Sequence, residues 1–201
     1  MAGGKKSAAA AGAWLCFEDE SGQSLRPPKA TTWGPQGCTP VAKVSGKGSG
    51  RVSVAGLVAA KPGQRSRLFY RTRTSRGRKG ERKGFTEADY AALLTAAHRQ
   101  LKAPVVVVWD GLNTHTSKVM RHFVDSHDWL TVVQLTAYAP DLNPAEGAWS
   151  HVKRHLGNLA ARSVDQLAAV VRTLLKRIQH RPGLIDGFIA GTGLSIQPQA
   201  P

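Results

Sequence analysis

The sequence predicts an α/β fold in which a central mixed five-stranded sheet carries helices on both faces. Short segments rich in β-branched residues, separated by glycine-rich turns, come first and are typical of an antiparallel meander. Apolar runs then alternate with segments of helical periodicity, which is the pattern of parallel strands joined by helices. Because the meander precedes these runs, we expect antiparallel pairing on one side of the sheet and parallel pairing on the other.

The first half of the chain supplies the meander, one helix and the central strand. AWLCFEDE is predicted as the first strand, and further β segments are predicted in TPVAKV, GRVSVAGLVAA and RSRLFYR. TEADYAALLTAAHRQL has helical spacing, and Thr86 is its expected N-cap. APVVVVWD is apolar without alternation, which indicates a central strand that is covered on both faces.

The second half continues the alternation of strands and helices. A helix through SKVMRHFVDSH, a strand in WLTVVQLT and a helix that begins at Asn143-Pro144 follow in that order. The last helix, SVDQLAAVVRTLLKRI, has Ser163 and Gln166 at capping-box spacing and one apolar stripe, so it should pack on the sheet. The complete order, βββαβαβα, is that of a ribonuclease H-like fold.

The predicted domain spans residues 13–181. Residues 1–12, which are rich in Gly, Ala and Lys, are interpreted as a disordered leader, and residues 182–201 as a C-terminal tail. Inside the domain, about residues 23–48 are predicted to form a long loop because they contain many chain breakers, and residues 65–84 a basic loop.

The charge of the chain indicates an anionic partner. Its 201 residues include 28 Lys and Arg against 13 Asp and Glu, which gives a net charge of +15. Basic side chains bind nucleic-acid phosphates by releasing condensed counterions, so double-stranded DNA is the first candidate and a membrane surface the second.

No apolar run approaches the roughly 20 residues of a membrane span and no signal peptide is recognisable, so we expect a cytoplasmic protein without a membrane partner. Cys16 and Cys38 lack metal-binding spacing and are expected to be reduced thiols.

The basic side chains expected to contact phosphates lie mostly between Arg65 and Lys83, a segment with nine basic residues and one acid. The alternative is a solvated loop, but so many like charges repel one another and gain from an anionic partner. The DNA-binding candidates are Arg71, Arg73, Arg76, Arg78, Lys79, Arg82, Lys83, Lys153 and Arg154.

Asp110 comes directly after the predicted central strand. Open α/β sheets present ligand-binding groups at the carboxyl ends of their strands, and Gly111 lets the chain turn away at once. Asn113 and His115 follow at alternating positions and are expected to support Asp110. The alternative is a turn aspartate that accepts backbone hydrogen bonds.

Glu146 lies in the first turn of the helix that Asn143 is expected to cap. At this position a carboxylate could simply close a capping box. The apolar stripe of the helix, however, leaves Glu146 on a neighbouring face, and the start of a helix also offers amides to a phosphate. Asp141, the competing acid, precedes the helix in a proline-bounded turn and is interpreted as a turn former.

Asp19 is the middle one of three consecutive acids in the first strand. Alternation places it on the face of Leu15 and Phe17, whereas a solvated strand end is the alternative. In a ribonuclease H-like sheet the first and fourth strands are neighbours, so Asp19 and Asp110 would meet with Glu146 above them. Three carboxylates repel one another unless cations lie between them, and oxygen ligands favour Mg²⁺, with Mn²⁺ as a substitute, bound as two ions.

Three blocks of the sequence resemble the catalytic blocks of the DDE transposases of bacterial insertion sequences in the mariner superfamily, over roughly residues 13–180. They are AWLCFEDESG with the later TTWGPQG, VVVVWDGLNTHTS, and YAPDLNPAEGAWSHVKR. The 35 residues between Asp110 and Glu146 fit the spacing of the second and third acids in this group. The resemblance implies that Asp19, Asp110 and Glu146 are the catalytic, metal-binding triad.

The same resemblance implies metal-dependent DNA cleavage and strand transfer by a homodimer that holds paired DNA ends. The loop at about residues 23–48 would be similar to the segment that clamps the partner subunit. The helix-turn-helix region that usually precedes the first acid is not recognisable, which is expected for a truncated element or for a split one with a separate helix-turn-helix polypeptide. The competing hypotheses are a catalytically idle remnant that binds DNA or inhibits an intact transposase, and an RNA–DNA hybrid nuclease of the same fold.

Overall fold

The computed structural model describes residues 12–26, 28, 31, 33–38, 41, 50–135 and 139–195. Most of the predicted leader, the end of the predicted tail and all of the predicted β segment TPVAKV except Val41 lie outside these residues. Among the helices of this part of the chain, none has the length and apolar composition needed to cross a membrane.

Five strands of the described chain form one mixed sheet with the order β3-β2-β1-β4-β5. They are β1 (Trp14–Ser24), β2 (Arg51–Ala60), β3 (Arg67–Ser75), β4 (Val105–Trp109) and β5 (Leu130–Gln134). The first three pair antiparallel as a meander, whereas β4 pairs parallel to both β1 and β5. This arrangement confirms the predicted ribonuclease H-like sheet, including the neighbouring positions of the first and fourth strands.

In the same residues, five α-helices cover the two faces of the sheet. They are α1 (Glu87–Leu101), α2 (Lys118–Asp125), α3 (Pro144–Leu156), α4 (Val164–Gln179) and α5 (Pro182–Gly191). Because side chains alternate along β1, Trp14 and Cys16 pack with α1 and α2, while Leu15 and Phe17 pack with α3, α4 and α5. The residues that follow on β1 therefore alternate between the same two layers.

Two predicted boundaries are wrong. The predicted tail contains helix α5, whose Ile185 and Ile189 are buried in the core because their spacing places both on one face of the helix. The predicted basic loop at residues 65–84 is strand β3 over much of its length, since its apolar residues Leu68 and Phe69 pack on opposite faces of the sheet. The residues before Arg67 and those after Ser75 lie outside this strand.

Candidate active site

Asp19 lies on β1 beneath the first turns of α3. Its Oδ2 accepts a hydrogen bond from Trp149 Nε1 at 2.9 Å, and its Oδ1 accepts one from the backbone N–H of Glu20 at 2.9 Å. Trp149 belongs to α3, so this contact brings the strand and the helix that carries Glu146 together. The structure thus places Asp19 on the face that alternation predicts.

The electrostatics of Asp19 show that Glu146 is near. Burial raises the pKa of Asp19 to about 7, and the negative charge of Glu146 contributes to this rise. The hydrogen bond from Trp149 acts in the opposite direction, because it stabilises the ionised carboxylate. Asp19 and Glu146 are therefore two mutually repelling carboxylates, and a cation between them would relieve this repulsion.

Glu146 does not act as the cap of α3. Asn143 is the N-cap: its Oδ1 accepts a hydrogen bond from the backbone N–H of Ala145 at 3.0 Å. Its Nδ2 donates to the backbone carbonyl of Glu18 at 3.0 Å, which ties the start of α3 to β1. Within the part of the chain that the structure describes, no hydrogen bond engages the Glu146 side chain, so the capping alternative has no support.

Asp110 directly follows β4, and its side chain is 48% exposed. One oxygen, Oδ1, accepts a hydrogen bond from the backbone N–H of Leu112 at 3.1 Å and lies 3.0 Å from Nδ1 of His115. The other oxygen, Oδ2, has no hydrogen-bond partner in the described ranges. The predicted turn-forming contact is therefore present, but it uses only half of the carboxylate.

His115 contacts Asp110, whereas Asn113 does not. The His115 side chain is fully buried, and its Nε2 lies 3.1 Å from Oε2 of Glu18. Burial alone would lower the pKa of His115, but the carboxylates of Glu18 and Asp110 outweigh this effect and raise the pKa. Asn113 is exposed, and its side chain makes no hydrogen bond with the described residues.

The contacts of Glu18 and Glu20 were not predicted from the sequence. Both point away from Asp19, towards the layer that contains α1. Glu18 contacts His115, and Oε2 of Glu20 accepts a hydrogen bond from the Tyr90 hydroxyl at 2.9 Å. The alternation of β1 was the available signal, because an acid on the covered face of a central strand needs a partner.

The carboxylate side chains of this site match the ligand set of a hard divalent cation only in part. Carboxylate oxygens are the ligands that Mg²⁺ and Mn²⁺ prefer, and the repulsion between Asp19 and Glu146 favours a cation there. However, the described residues include no group of three or more His, Cys, Asp or Glu side chains arranged to hold one ion. Magnesium in phosphoryl-transfer sites is usually held by one or two carboxylates together with substrate phosphates, so a closed protein cage is not required.

Several of the predicted DNA-binding residues are already engaged inside the protein. Arg73 forms an ion pair with Asp89 at 2.7 Å, and Arg76 forms one with Asp165 at 2.8 Å. Arg71 donates to the backbone carbonyl of Asp89 at 3.4 Å. The remaining candidates are exposed and form no ion pair with any acid that the structure describes: Arg78, Lys79, Arg82, Lys83, Lys153 and Arg154.

The loop after β3 is held in shape by one carboxylate. Oε2 of Glu81 accepts backbone hydrogen bonds from Arg76 at 2.7 Å and from Arg78 at 3.1 Å. These two bonds lower the pKa of Glu81. Because its backbone is fixed, the loop presents Arg78 and Lys79 to solvent from a defined position.

The pKa of Asp19 makes the stability of the metal-free protein depend on pH. Between about pH 4 and about pH 7 the folded protein retains a proton that an unfolded Asp has released, so the free energy of unfolding should fall as the pH rises. Asp19→Asn should remove this contribution and lessen the fall. Urea unfolding of both proteins in EDTA at about pH 5 and about pH 8 measures the difference. Asp128→Asn, at an exposed position, serves as the control. If the free energy of unfolding falls by the same amount between the two pH values in the wild type and in Asp19→Asn, the raised pKa of Asp19 is contradicted.

Comparison with known proteins gives a family and a fold. The sequence profile of the family described as DDE superfamily endonuclease matches residues 14–168. No curated protein matches the sequence.

Solved structures of Mos1 transposase are similar to the chain. The Mos1 transposase paired-end complex with left transposon end is 17% identical, with a TM-score of 0.59, over 90% of this chain and 56% of that one. The Mos1 mariner paired end complex with Mn is 17% identical, with a TM-score of 0.58 and the same coverage of 90% and 56%. The catalytic domain of Mos1 mariner transposase is 16% identical, with a TM-score of 0.52, over 90% and 83% of the two chains. At these identities the likeness shows the ribonuclease H-like fold, and this chain spans little more than half the length of the first two.

Proposed function

We propose that this chain, which belongs to the DDE superfamily of endonucleases, is the catalytic domain of a transposase. Such a domain would cleave and join DNA strands with divalent metal ions. The observation that carries the proposal is the position of Glu146 of α3 beside Asp19 of β1, next to the strand that Asp110 follows. The family match extends over all three acids. The repulsion between Asp19 and Glu146 would be relieved by the cations that this chemistry requires.

Asp19, Asp110 and Glu146 would hold one or two Mg²⁺ or Mn²⁺ ions. When bound, such ions activate an attacking water or DNA 3′-hydroxyl and stabilise the leaving oxygen of a phosphodiester. The protein fixes two of the carboxylates in place, because Trp149 orients Asp19 and His115 orients Asp110. Similar structures of the Mos1 transposase catalytic domain were solved with Mg and with Mn, which supports the choice of ions.

Double-stranded DNA is the proposed partner. Several similar Mos1 structures are paired-end complexes, which supports a homodimer that holds two DNA ends. The net charge of +15 supplies affinity for the phosphates. We include in the proposal a bacterial insertion sequence as the source, with DNA ends recognised by a helix-turn-helix region that lies outside this catalytic domain.

Nicking of a supercoiled plasmid tests the proposed activity. Mg²⁺ or Mn²⁺ should support conversion to the open-circular form, whereas Ca²⁺ should not, because its longer and looser coordination does not align the attack. Adding Mg²⁺ or Mn²⁺ should also raise the melting temperature, since ions that bind only the folded protein stabilise it. A protein that neither nicks DNA nor responds to several millimolar of either ion would be an idle remnant, and a preference for RNA–DNA hybrids would indicate the other nuclease class.

The salt dependence of DNA binding tests which basic residues contact phosphates. Because Arg76 is paired with Asp165, we expect Arg78, Lys79 and Arg82 to contribute instead. Replacing these three residues by Gln should flatten the slope of log K against log salt by about 2 to 3 units.

The matched control is Arg73→Gln, since Asp89 already neutralises this guanidinium. Arg73→Gln should change the slope by less than the average change per replaced residue in the triple variant. Fluorescence anisotropy on two unrelated duplexes measures the slopes. A triple variant with the slope of the wild type would exclude this loop from the DNA interface.

A further inference from the structure

Glu18 is a charged residue in the interior of the protein. Its side chain is only 1% exposed, and among the residues that the structure describes its one charged contact at ion-pair distance is His115, at 3.1 Å. The two groups are not aligned for a hydrogen bond, and Oε1 of Glu18 has no hydrogen-bond partner in the described ranges. Burying such a pair costs several kcal/mol of desolvation per ion, and apolar residues of similar volume often stabilise a protein better. Stability alone therefore does not explain Glu18.

His115 has a single orientation because its ring is held on several sides. It stacks on Trp109 with ring centroids 4.4 Å apart and an interplanar angle of 5°, and it meets Tyr90 edge-on at 4.7 Å. Its Nε2 faces Glu18, and its Nδ1 lies 3.0 Å from Oδ1 of Asp110. Glu18 and Asp110 thus contact opposite nitrogens of one fixed ring.

One carboxylate oxygen of Asp110 is hydrogen-bonded and the other is not, within the described part of the chain. Oδ1 is held by His115 and by the backbone N–H of Leu112. Two donors on the same oxygen restrict rotation of the carboxylate, whereas a single backbone contact would not. Oδ2 remains without a hydrogen-bond partner in the described part of the chain, on a side chain that is about half exposed.

We propose that Glu18 is a positioning residue that acts through His115 to fix the Asp110 carboxylate with Oδ2 turned towards a divalent ion. The inference rests on the proposed function, because it assumes that Asp110 binds metal. Replacing Glu18 by the neutral Gln removes the negative charge that Nε2 faces, so the His115 ring is held less firmly and the Asp110 carboxylate can rotate away from the geometry that binds the ion. Groups that orient a ligand in this way typically account for about 10- to 100-fold in metal affinity.

Manganese affinity of the Glu18→Gln variant tests this role. Free Mn²⁺ measured by electron paramagnetic resonance should show affinity reduced by about 10- to 100-fold, with the melting temperature of the metal-free protein maintained. Glu20→Gln is the matched control: it makes the same change on the same face of β1, but this side chain accepts a hydrogen bond from Tyr90 and does not contact His115. Wild-type Mn²⁺ affinity in folded Glu18→Gln would overturn the proposal.

A measurement without metal separates this inference from the proposed function. The ring Nδ1 proton of His115, assigned by its absence in His115→Asn, should exchange slowly in the wild type and about tenfold faster in Glu18→Gln. If Asp110→Asn leaves Mn²⁺ affinity unchanged, the proposed metal site is wrong, yet the exchange rate still decides whether Glu18 holds His115. If Glu18→Gln does not fold, Glu18→Asp, which is one methylene shorter, is measured in the same two ways. Unchanged proton exchange in a folded variant would refute the positioning role.

Discussion

Replacing Asp110 by Asn or Glu146 by Gln should reduce metal-dependent nicking by more than about 100-fold, which is the upper range for residues that only support a ligand. Each change removes a negative charge where a cation is proposed to bind and leaves the shape of the side chain almost unaltered. An Asn at position 110 can still accept the hydrogen bond from the backbone N–H of Leu112, so its turn should persist. Stability and DNA affinity should therefore stay close to those of the wild type.

Glu146→Gln separates catalysis from helix capping. The cap of α3 is formed by Asn143, so the variant should lose less than the about 0.5 to 2 kcal/mol that removal of a cap costs. Nicking, DNA anisotropy and urea unfolding on the same preparations measure activity, binding and stability together. Asp141→Asn is the matched control, because this exposed acid precedes α3 in a short 3-10 turn. Normal nicking by Glu146→Gln combined with loss of nicking in Asp141→Asn would mean that the third acid has been assigned incorrectly.

Trp149→Ala should have the largest effect on stability, a loss of about 3 to 5 kcal/mol. The Trp149 side chain is 2% exposed and packs so closely on β2 that a Cβ added at Gly56 would lie 2.5 Å from its Cη2. The ring therefore fills space that only a glycine leaves open. Trp33→Ala is the control at the opposite extreme, because Trp33 is 99% exposed and should not affect the free energy of unfolding.

Trp149→Phe divides the role of this residue into packing and hydrogen bonding. Phenylalanine keeps most of the buried ring but cannot donate to Asp19. Since that hydrogen bond lowers the pKa of Asp19, its loss should raise the pKa further and make the metal-free protein hold the Asp19 proton to higher pH. Urea unfolding at several pH values measures both effects. Equal destabilisation by Phe and Ala would show that the hydrogen bond, and not the ring volume, dominates.

Local patterns in the sequence were sufficient for the sheet and for the face of β1 that carries Asp19. They were insufficient for α5, because the Pro182-Gly183 pair that suggests a chain break in fact begins a helix. They also could not reveal that Arg73 and Arg76 are neutralised, since Asp89 and Asp165 are distant in sequence and meet them only in the folded chain. The contact of Glu18 with His115 likewise joins residues that are distant in sequence, and it depends on side-chain positions that the predicted pairing of β1 with β4 does not specify.

The alternation of acids along β1 determines which changes in chain length the protein can tolerate. Asp19 faces Trp149, while Glu18 and Glu20 face the opposite layer, so deleting one residue between Trp14 and Asp19 would exchange the two sets. A glutamate would then replace the aspartate beneath α3, with its carboxylate one methylene farther from the backbone. Ten paired positions between β1 and β2 oppose such a shift. Insertions and deletions should therefore be eliminated by selection within this strand, so related genes should agree in length between Trp14 and Asp19.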